Sequence, residues 1–194
     1  ETEAAEIYDE LGRAEEAAIW LERAAGRREL VDRYLWDAER GMYMDYDFRD
    51  EELSEYEFAT TFYPLWVGAA TAEQARRVTE NLYKFEAPGG LLTSSRITGS
   101  QWDAPFAWGP LQMIAAQGLR EYGYHMDADR LTAKFVDLVT REFEEHAVVV
   151  EKYDAVQRES DVEAGIRFGY SANQVGFGWT NAAYVEMLHD AGAP

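Results

Sequence analysis

The sequence predicts an all-α fold in which paired helices form the scaffold and the loops at their ends carry the chemistry. Apolar residues recur at helical spacing along most of the 194-residue chain, whereas the stretches that alternate like strands are short and scattered. With 47% hydrophobic and 14% aromatic residues, the chain can bury a sizeable core. An α-solenoid of helix pairs would use the same periodicity. We favour the first interpretation because the loops are long and unlike one another.

The first part of the chain predicts two helices followed by an extended connection. Residues 3–11 form a short helical pattern, and residues 13–36 form a long amphipathic one that is rich in Ala, Glu, Arg and Leu. The apolar stripe of the long helix includes Leu21 and Leu30. The segment DAERGMYMDYDF, residues 37–48, changes to an alternating pattern, which predicts a hairpin-like connection.

The later elements begin at typical helix starts. Pro64 is of the type favoured at the first helical position, so a short apolar helix is predicted to begin near it. Thr71 is the predicted N-cap of a helix over residues 72–84. The segment LLTSSRITG, residues 91–99, is predicted to be extended. Further helices are predicted over residues 108–122 and 127–147, and from Thr180 or Asn181 onward.

Composition excludes several classes of function. The chain carries 18 basic against 37 acidic residues, and its net charge of −19 repels nucleic-acid phosphates and anionic lipid heads. We therefore predict no nucleic-acid and no membrane partner, and we interpret most of the acidity as a solvated surface. Because cysteine is absent, a disulfide framework and a thiolate metal site are excluded. No cofactor or metal is predicted, since the histidines lack a common ligand spacing: His125, His146 and His189.

Three loop segments place aromatic rings beside groups that can hydrogen-bond hydroxyls: GSQWDAPFAW (99–108), VVVEKYD (148–154) and NQVGFGWTN (173–181). Trp102 and Trp108, taken alone, fit core packing better than ligand binding. Gln101 and Asp103 favour a sugar site, because a buried amide and a buried carboxylate need partners that sugar hydroxyls can supply. Asp103 equally fits a helix cap or a structural hydrogen bonder.

Glu151 is the candidate general base. It directly follows three valines, and a carboxylate at an apolar edge loses water, which favours its neutral form, whereas the adjacent Lys152 favours the charged form. Such a group can accept a proton during catalysis. The letters EKYD alone are more typical of a Glu–Lys pair on the protein surface.

Read jointly, the segments GGLLTSSRITGSQWDAPFAWGPLQ, EKYD and QVGFGWTN resemble the C-terminal half of the trehalase family, glycoside hydrolase family 37. RYLWDAERGMYMDYDF and FYPLW resemble connecting segments of the same family. The QWDxPxxW signature is specific, and its order with EKYD and GFGWTN strengthens the resemblance. It runs from about residue 27 to the end of the chain.

The resemblance implies an (α/α)6 toroid, with residues 1–194 as the C-terminal part of its catalytic domain. It also implies inverting hydrolysis of the α,α-1,1 bond of trehalose, a small-molecule sugar substrate, with Glu151 as general base. In the family pattern the following residues bind substrate: Gln101, Trp102, Asp103, Tyr170, Phe177 and Trp179.

The sequence departs from the family pattern at a few positions. Tyr170 stands where the family usually has a glutamate, and Phe106 and Gly109 stand where Asn and Ala or Ser are common. A related glucoside therefore remains open as the substrate.

The general acid of the family lies upstream of the long helix, and nothing in residues 1–26 matches its motif. We therefore expect this chain to supply the base and part of the sugar pocket, while an N-terminal half, or self-association, completes the toroid. The alternative is a non-catalytic helical domain that binds carbohydrate or another protein.

Overall fold

The computed structural model describes residues 1–162, 166–169 and 172–192. About 53% of the described residues are helical. The described ranges contain α1 (Thr2–Glu10), α2 (Ala14–Leu35), α3 (Tyr63–Trp66), α4 (Ala72–Glu80), α5 (Gly109–Glu121), α6 (His125–His146) and α7 (Gly178–Asp190), with 3-10 turns at Ala59–Phe62 and Leu82–Lys84. Among these helices, none combines the length and apolar character that crossing a membrane requires.

The strands form antiparallel pairs that connect helices. They are β1 (Trp36–Asp37) with β2 (Met42–Tyr43), β3 (Tyr46–Asp47) with β4 (Glu52–Leu53), β5 (Glu86–Ala87) with β6 (Gly90–Leu91), and β7 (Phe106–Trp108) with β8 (Lys152–Asp154). Within the described ranges no sheet has more than two strands. The prediction of a helical scaffold without a sheet core is confirmed, as is the hairpin-like connection over residues 37–48.

Helix boundaries differ from the sequence-based expectation in α4, α6 and α7, and α6 begins at His125, two residues before its predicted start. Thr71 caps α4 through a reciprocal pair of hydrogen bonds with Gln74, as its residue type predicts. The helix ends at Glu80, however, because the chain tightens into a 3-10 turn afterwards. Helix α7 begins two residues before Thr180, whose hydroxyl donates to the main-chain oxygen of Glu151 rather than capping the helix.

Helix α5 lies at the centre of the hydrophobic core. It contacts α3, α6 and α7, and one of its faces is buried along its length, including Leu111, Ala115 and Leu119. Strand β7 leads directly into α5, so the residues before α5 are held by the most buried helix of the fold. The loop GSQWDAPFAW is therefore anchored at its C-terminal end.

Helix α2 does not bury the apolar stripe that its sequence predicts. Leu21 and Leu30 are 54% and 56% exposed, because α2 packs mainly against α1 and touches the core only near its C-terminal end, through Val31 and Leu35. The amphipathic pattern correctly predicts the helix. The pattern does not predict which face of α2 is buried against the rest of the described chain.

Helix α3 approaches α5 closely at Gly118, and a substitution of this glycine tests that approach. A Cβ atom at Gly118 would lie 2.9 Å from the main-chain nitrogen of Trp66 and 3.0 Å from the Cβ of Leu65, and the backbone cannot yield easily. Gly118→Ala should therefore lower the free energy of unfolding by about 1–3 kcal/mol. Gly26→Ala is the control, since Gly26 lies in α2 with no neighbouring atom within 4 Å. It should raise stability by about 0.5–1 kcal/mol.

Urea unfolding followed by circular dichroism measures both changes. A stabilising effect of Gly118→Ala would show that the two helices do not approach as closely as the structure places them.

Candidate active site

The β7–β8 pair joins two of the three loop motifs. Trp108, the last residue of the tryptophan-containing motif, lies opposite Lys152 of EKYD, and Ala107 lies opposite Tyr153. Glu151, the residue before β8, thus lies at the end of the ladder next to Trp108. The two motifs are far apart in the sequence and become neighbours only through this antiparallel pairing.

Four rings from two motifs form an aromatic cluster beside this ladder: Trp102, Trp108, Phe177 and Trp179. Trp102 and Trp108 stack with their ring centroids 3.9 Å apart and an interplanar angle of 4°. Trp179 meets both edge-on, at 6.0 Å and 5.5 Å, and Phe177 lies 4.8 Å from Trp179. Trp108 is fully buried, as core packing predicts, whereas Trp102 is partly buried and Trp179 is 36% exposed. The cluster therefore has a buried ring, Trp108, and rings at its edge that are partly exposed.

Gln101 is fixed by its main chain and keeps a side-chain acceptor unused. Its carbonyl oxygen accepts a hydrogen bond from Nε1 of Trp108 at 2.9 Å, and its main-chain N–H donates to the oxygen of Phe168 at 3.2 Å. Its side-chain Oε1 is buried and has no hydrogen-bond partner among the described residues. A buried amide oxygen without a partner is costly, so this atom is available to a donor from a ligand.

Asp103 is enclosed by hydrogen bonds that fix the loop. Its Oδ1 accepts from the hydroxyl of Tyr56 at 2.7 Å, from the hydroxyl of Ser94 and from the N–H of Ala104, and its Oδ2 accepts from the N–H of Thr98. Burial opposes ionisation, but the hydrogen bonds from Ser94, Thr98 and Tyr56 outweigh it and hold the pKa of Asp103 below its usual value. Of the roles considered for Asp103, the structural hydrogen bonder is the one that this geometry displays.

Glu151 and Lys152 form a fully buried ion pair, with Nζ of Lys152 2.9 Å from Oε2 of Glu151. The expectation of a surface pair is therefore wrong. The three valines before Glu151 belong to the core or pack against it, but this apolar run does not by itself specify a buried ion pair. The Lys152 ammonium also lies 5.2 Å from the ring centroid of Trp108 and donates to the carbonyl oxygen of Ala172 at 3.4 Å.

The segment before α7 lies against both motifs. The N–H groups of Arg167 and Phe168 donate to the carbonyl oxygen of Gly99, and Asn173 hydrogen-bonds both the N–H and the C=O of Lys152. Val175 and Val150 form an isolated antiparallel β-bridge. The third motif is therefore paired with the second, and the residues before it are paired with the first. Together with the ring contacts of Trp179, this brings Gln101, Trp102, Glu151, Phe177 and Trp179 into one region. Tyr170 lies outside the described residues, and its predicted substrate contact stays a prediction.

Tyr56 is the participant that sequence reasoning missed. It reaches Asp103 from a loop 47 residues earlier, and no local pattern marks it.

Among the described residues, two clusters of side chains could hold a metal ion, and neither includes a residue of the three loop motifs. They are Glu142, Glu145 and His146 on α6, and Glu186, His189 and Asp190 on α7.

Tyr56→Phe removes one donor to the buried Asp103 carboxylate. Hydrogen bonds to charged groups contribute about 1.5–3 kcal/mol, so the variant should lose about that much free energy of unfolding at neutral pH. Because the pKa of Asp103 is lower in the folded than in the unfolded state, the contribution is complete above the unfolded value and is lost as the pH falls through the folded one. Urea unfolding in neutral and strongly acidic buffer measures this change.

Tyr83→Phe is the control, because the Tyr83 ring is exposed. An equal loss of stability by Tyr56→Phe in both buffers would contradict an ionised acceptor at Asp103.

Gly169→Ala tests the support of the Gln101 side chain. Gly169 has φ +102°, and a Cβ there would lie 2.7–2.9 Å from the side-chain atoms of Gln101. Gly176 also has a positive φ, +72°, but nothing lies within 4 Å of its Cβ position. We expect Gly169→Ala to cost about 1–3 kcal/mol more than Gly176→Ala and to shift tryptophan fluorescence, since Gln101 accepts the hydrogen bond of Trp108. Equal effects would indicate backbone strain alone.

Comparisons with known proteins agree with the motifs. A family model described as Trehalase matches residues 1–192, which extends the resemblance to the segment before residue 27. The cytosolic neutral trehalase of Pyricularia oryzae is 40% identical over 91% of this chain and 26% of its own length. That of Saccharomyces cerevisiae is 41% identical over 87% of this chain and 25% of its own length. The chain thus spans about a quarter of the length of these relatives.

Solved structures give the same result for the fold. The neutral trehalase of Saccharomyces cerevisiae superimposes with a TM-score of 0.73 at 38% identity, over 89% of this chain and 30% of its own. A GH63 mannosylglycerate hydrolase from Thermus thermophilus shares the fold with a TM-score of 0.70 at 21% identity, over 96% of this chain and 43% of its own. Because the family model covers nearly the whole chain and the relatives are about 40% identical, this chain belongs to the trehalase family.

Proposed function

We propose that this chain is the base-carrying C-terminal part of a trehalase catalytic domain with an (α/α)6 toroid fold. The domain would hydrolyse trehalose to glucose with inversion, and Glu151 would be its general base. The observation that carries the proposal is the β7–β8 ladder, which sets the buried Glu151 next to the aromatic cluster. Membership of the trehalase family and the similarity to neutral trehalases support the substrate.

The chemistry assigns a defined proton path to Glu151. The carboxylate takes a proton from a water molecule, whose oxygen forms a bond to the anomeric carbon of one glucose unit. The bond from that carbon to the glycosidic oxygen breaks, and the oxygen receives a proton from a general acid on the opposite side. Inverting glycosidases place the two carboxyl groups about 6.5–9.5 Å apart to leave room for the water.

Asp103 is poorly suited to be that acid. A general acid must carry its proton at the working pH, whereas the hydrogen bonds around Asp103 lower its pKa and favour the ionised form. We therefore assign the acid to a part of the catalytic domain beyond this chain. In this proposal Asp103 holds the loop, and Gln101 and Trp102 on the same loop face the sugar.

The aromatic cluster and the amide oxygen of Gln101 supply the sugar contacts. Trp102 stacks one ring face on Trp108, and in this proposal its other face takes the apolar face of a glucose ring. The Oε1 of Gln101, which has no partner among the described residues, accepts a sugar hydroxyl, and Phe177 and Trp179 close the same side. Because the Glu151 side chain is fully buried here, the proposal requires that the complete domain give it access to a water molecule.

The products of trehalose hydrolysis test the mechanism directly in the complete protein that carries this chain. Inversion at one anomeric carbon releases one β-glucose and one α-glucose, so early NMR spectra should show equal amounts of the two anomers. Glu151→Gln should lower kcat about 10²–10⁴-fold, because it removes the base. Glu159→Gln is the control, since Glu159 is an exposed glutamate in the loop after β8 and should leave kcat unchanged.

Azide separates a chemical role from a structural one. In Glu151→Ala, azide needs no base to attack the anomeric carbon, so it should restore turnover and yield β-glucosyl azide. Exclusive release of α-glucose by the unaltered protein would refute inversion, and near-normal turnover in Glu151→Gln would remove Glu151 from the mechanism. Trehalose binding without any glucose release by the unaltered protein would favour a non-catalytic carbohydrate-binding domain.

A further inference from the structure

We propose that Lys152 is a positioning residue that holds the Glu151 carboxylate in the orientation needed for proton transfer and places a positive charge beside it. The inference rests on the proposed role of Glu151 as general base and adds a second residue to it. Lys152 touches no substrate in this proposal. It acts only through the carboxylate beside it.

The geometry places the ammonium where it can act on the carboxylate. Both side chains are fully buried, and Nζ of Lys152 lies 2.9 Å from Oε2 of Glu151. A buried carboxylate without a cation would favour its protonated form, which cannot serve as a base. An ammonium at hydrogen-bond distance offsets this desolvation, because charges interact strongly where water is excluded.

Lys152 is itself fixed on several sides. Its ammonium lies over the ring of Trp108, and it donates to the carbonyl oxygen of Ala172. Its main chain is held by β7 and by both side-chain groups of Asn173. The Trp108 ring and the Ala172 carbonyl oxygen contact the Lys152 ammonium, and neither group changes when Glu151 takes up a proton. The ammonium can therefore remain in place through a reaction cycle and favour release of that proton afterwards.

Other titratable groups that the structure describes on the surrounding elements are engaged elsewhere or exposed. Tyr153 is kept neutral because burial raises its pKa, and its hydroxyl accepts the N–H of Val150. Asp154 accepts from the main chain of the turn that follows it. Among the described residues, Asp103 is enclosed in the loop before β7, and Arg167 is exposed in the segment before α7. On α7, the Tyr184 hydroxyl hydrogen-bonds Thr140, Asp190 accepts from Gln117, and Glu186 and His189 are exposed.

The pH dependence of trehalose hydrolysis by the complete protein distinguishes this role from a structural one. In Lys152→Met, the acid limb of the kcat profile should move to higher pH by about one to three pH units, since a nearby opposite charge shifts ionisation by that amount. Lys152→Arg keeps the charge and should leave the acid limb near its original position. Lys134→Met is the matched control, because it removes a lysine of α6 from its ion pair with Glu86 of β5 and should not move the acid limb.

An unmoved acid limb in Lys152→Met, with kcat lowered equally at every pH, would overturn the proposal and leave Lys152 a structural residue. Lys152→Gln provides a second neutral variant in case Lys152→Met fails to fold. Failure of both to fold, with Lys152→Arg folded but shifted like a neutral variant, would also count against it. If Glu151→Gln retains turnover, the base assignment fails first, and that outcome is separate from any result at Lys152.

Discussion

The pairing of β7 with β8 is the constraint on which the rest of the site depends. It is only three residues long on each strand, yet it aligns Trp108 with Lys152 and so connects two motifs that the sequence separates widely. Short ladders are weak alone, and this one is stabilised by its position, because β7 continues into the central helix α5 and Tyr153 of β8 is fully buried. The core packing of α5 and Tyr153 thus stabilises the ladder.

Trp108 connects the hydrophobic core to the polar groups of the site. Its ring stacks on Trp102 and meets Trp179 edge-on, its Nε1 fixes the main chain of Gln101, and its π face lies near the Lys152 ammonium. A large, rigid side chain makes all of these contacts at a small cost in conformational entropy. Residues that contact substrate in the proposed function are therefore supported by one residue that does not.

Two buried carboxylates near the cluster are stabilised in different ways. Asp103 is surrounded by hydroxyl and N–H donors, which suits a permanently ionised group that holds a loop. Glu151 is paired with a cation, Lys152. In the proposed mechanism Glu151 must give and take a proton, and the Lys152 ammonium beside it keeps its contacts with Trp108 and Ala172 in both states.

The helices, the turn chemistry and the family motifs could all be predicted from the sequence, because periodicity, the Thr71 cap and a signature such as QWDxPxxW depend on residues close together in the chain. The motifs also sufficed to select Gln101, Trp102, Glu151, Phe177 and Trp179 as residues that would lie in one region. Tertiary structure alone decided that Tyr56 donates to Asp103, that the Glu151–Lys152 pair is buried and that Leu21 and Leu30 of α2 stay exposed. These features depend on which distant segments pack together, and the burial of a charged group depends on its neighbours in space, which local sequence does not specify.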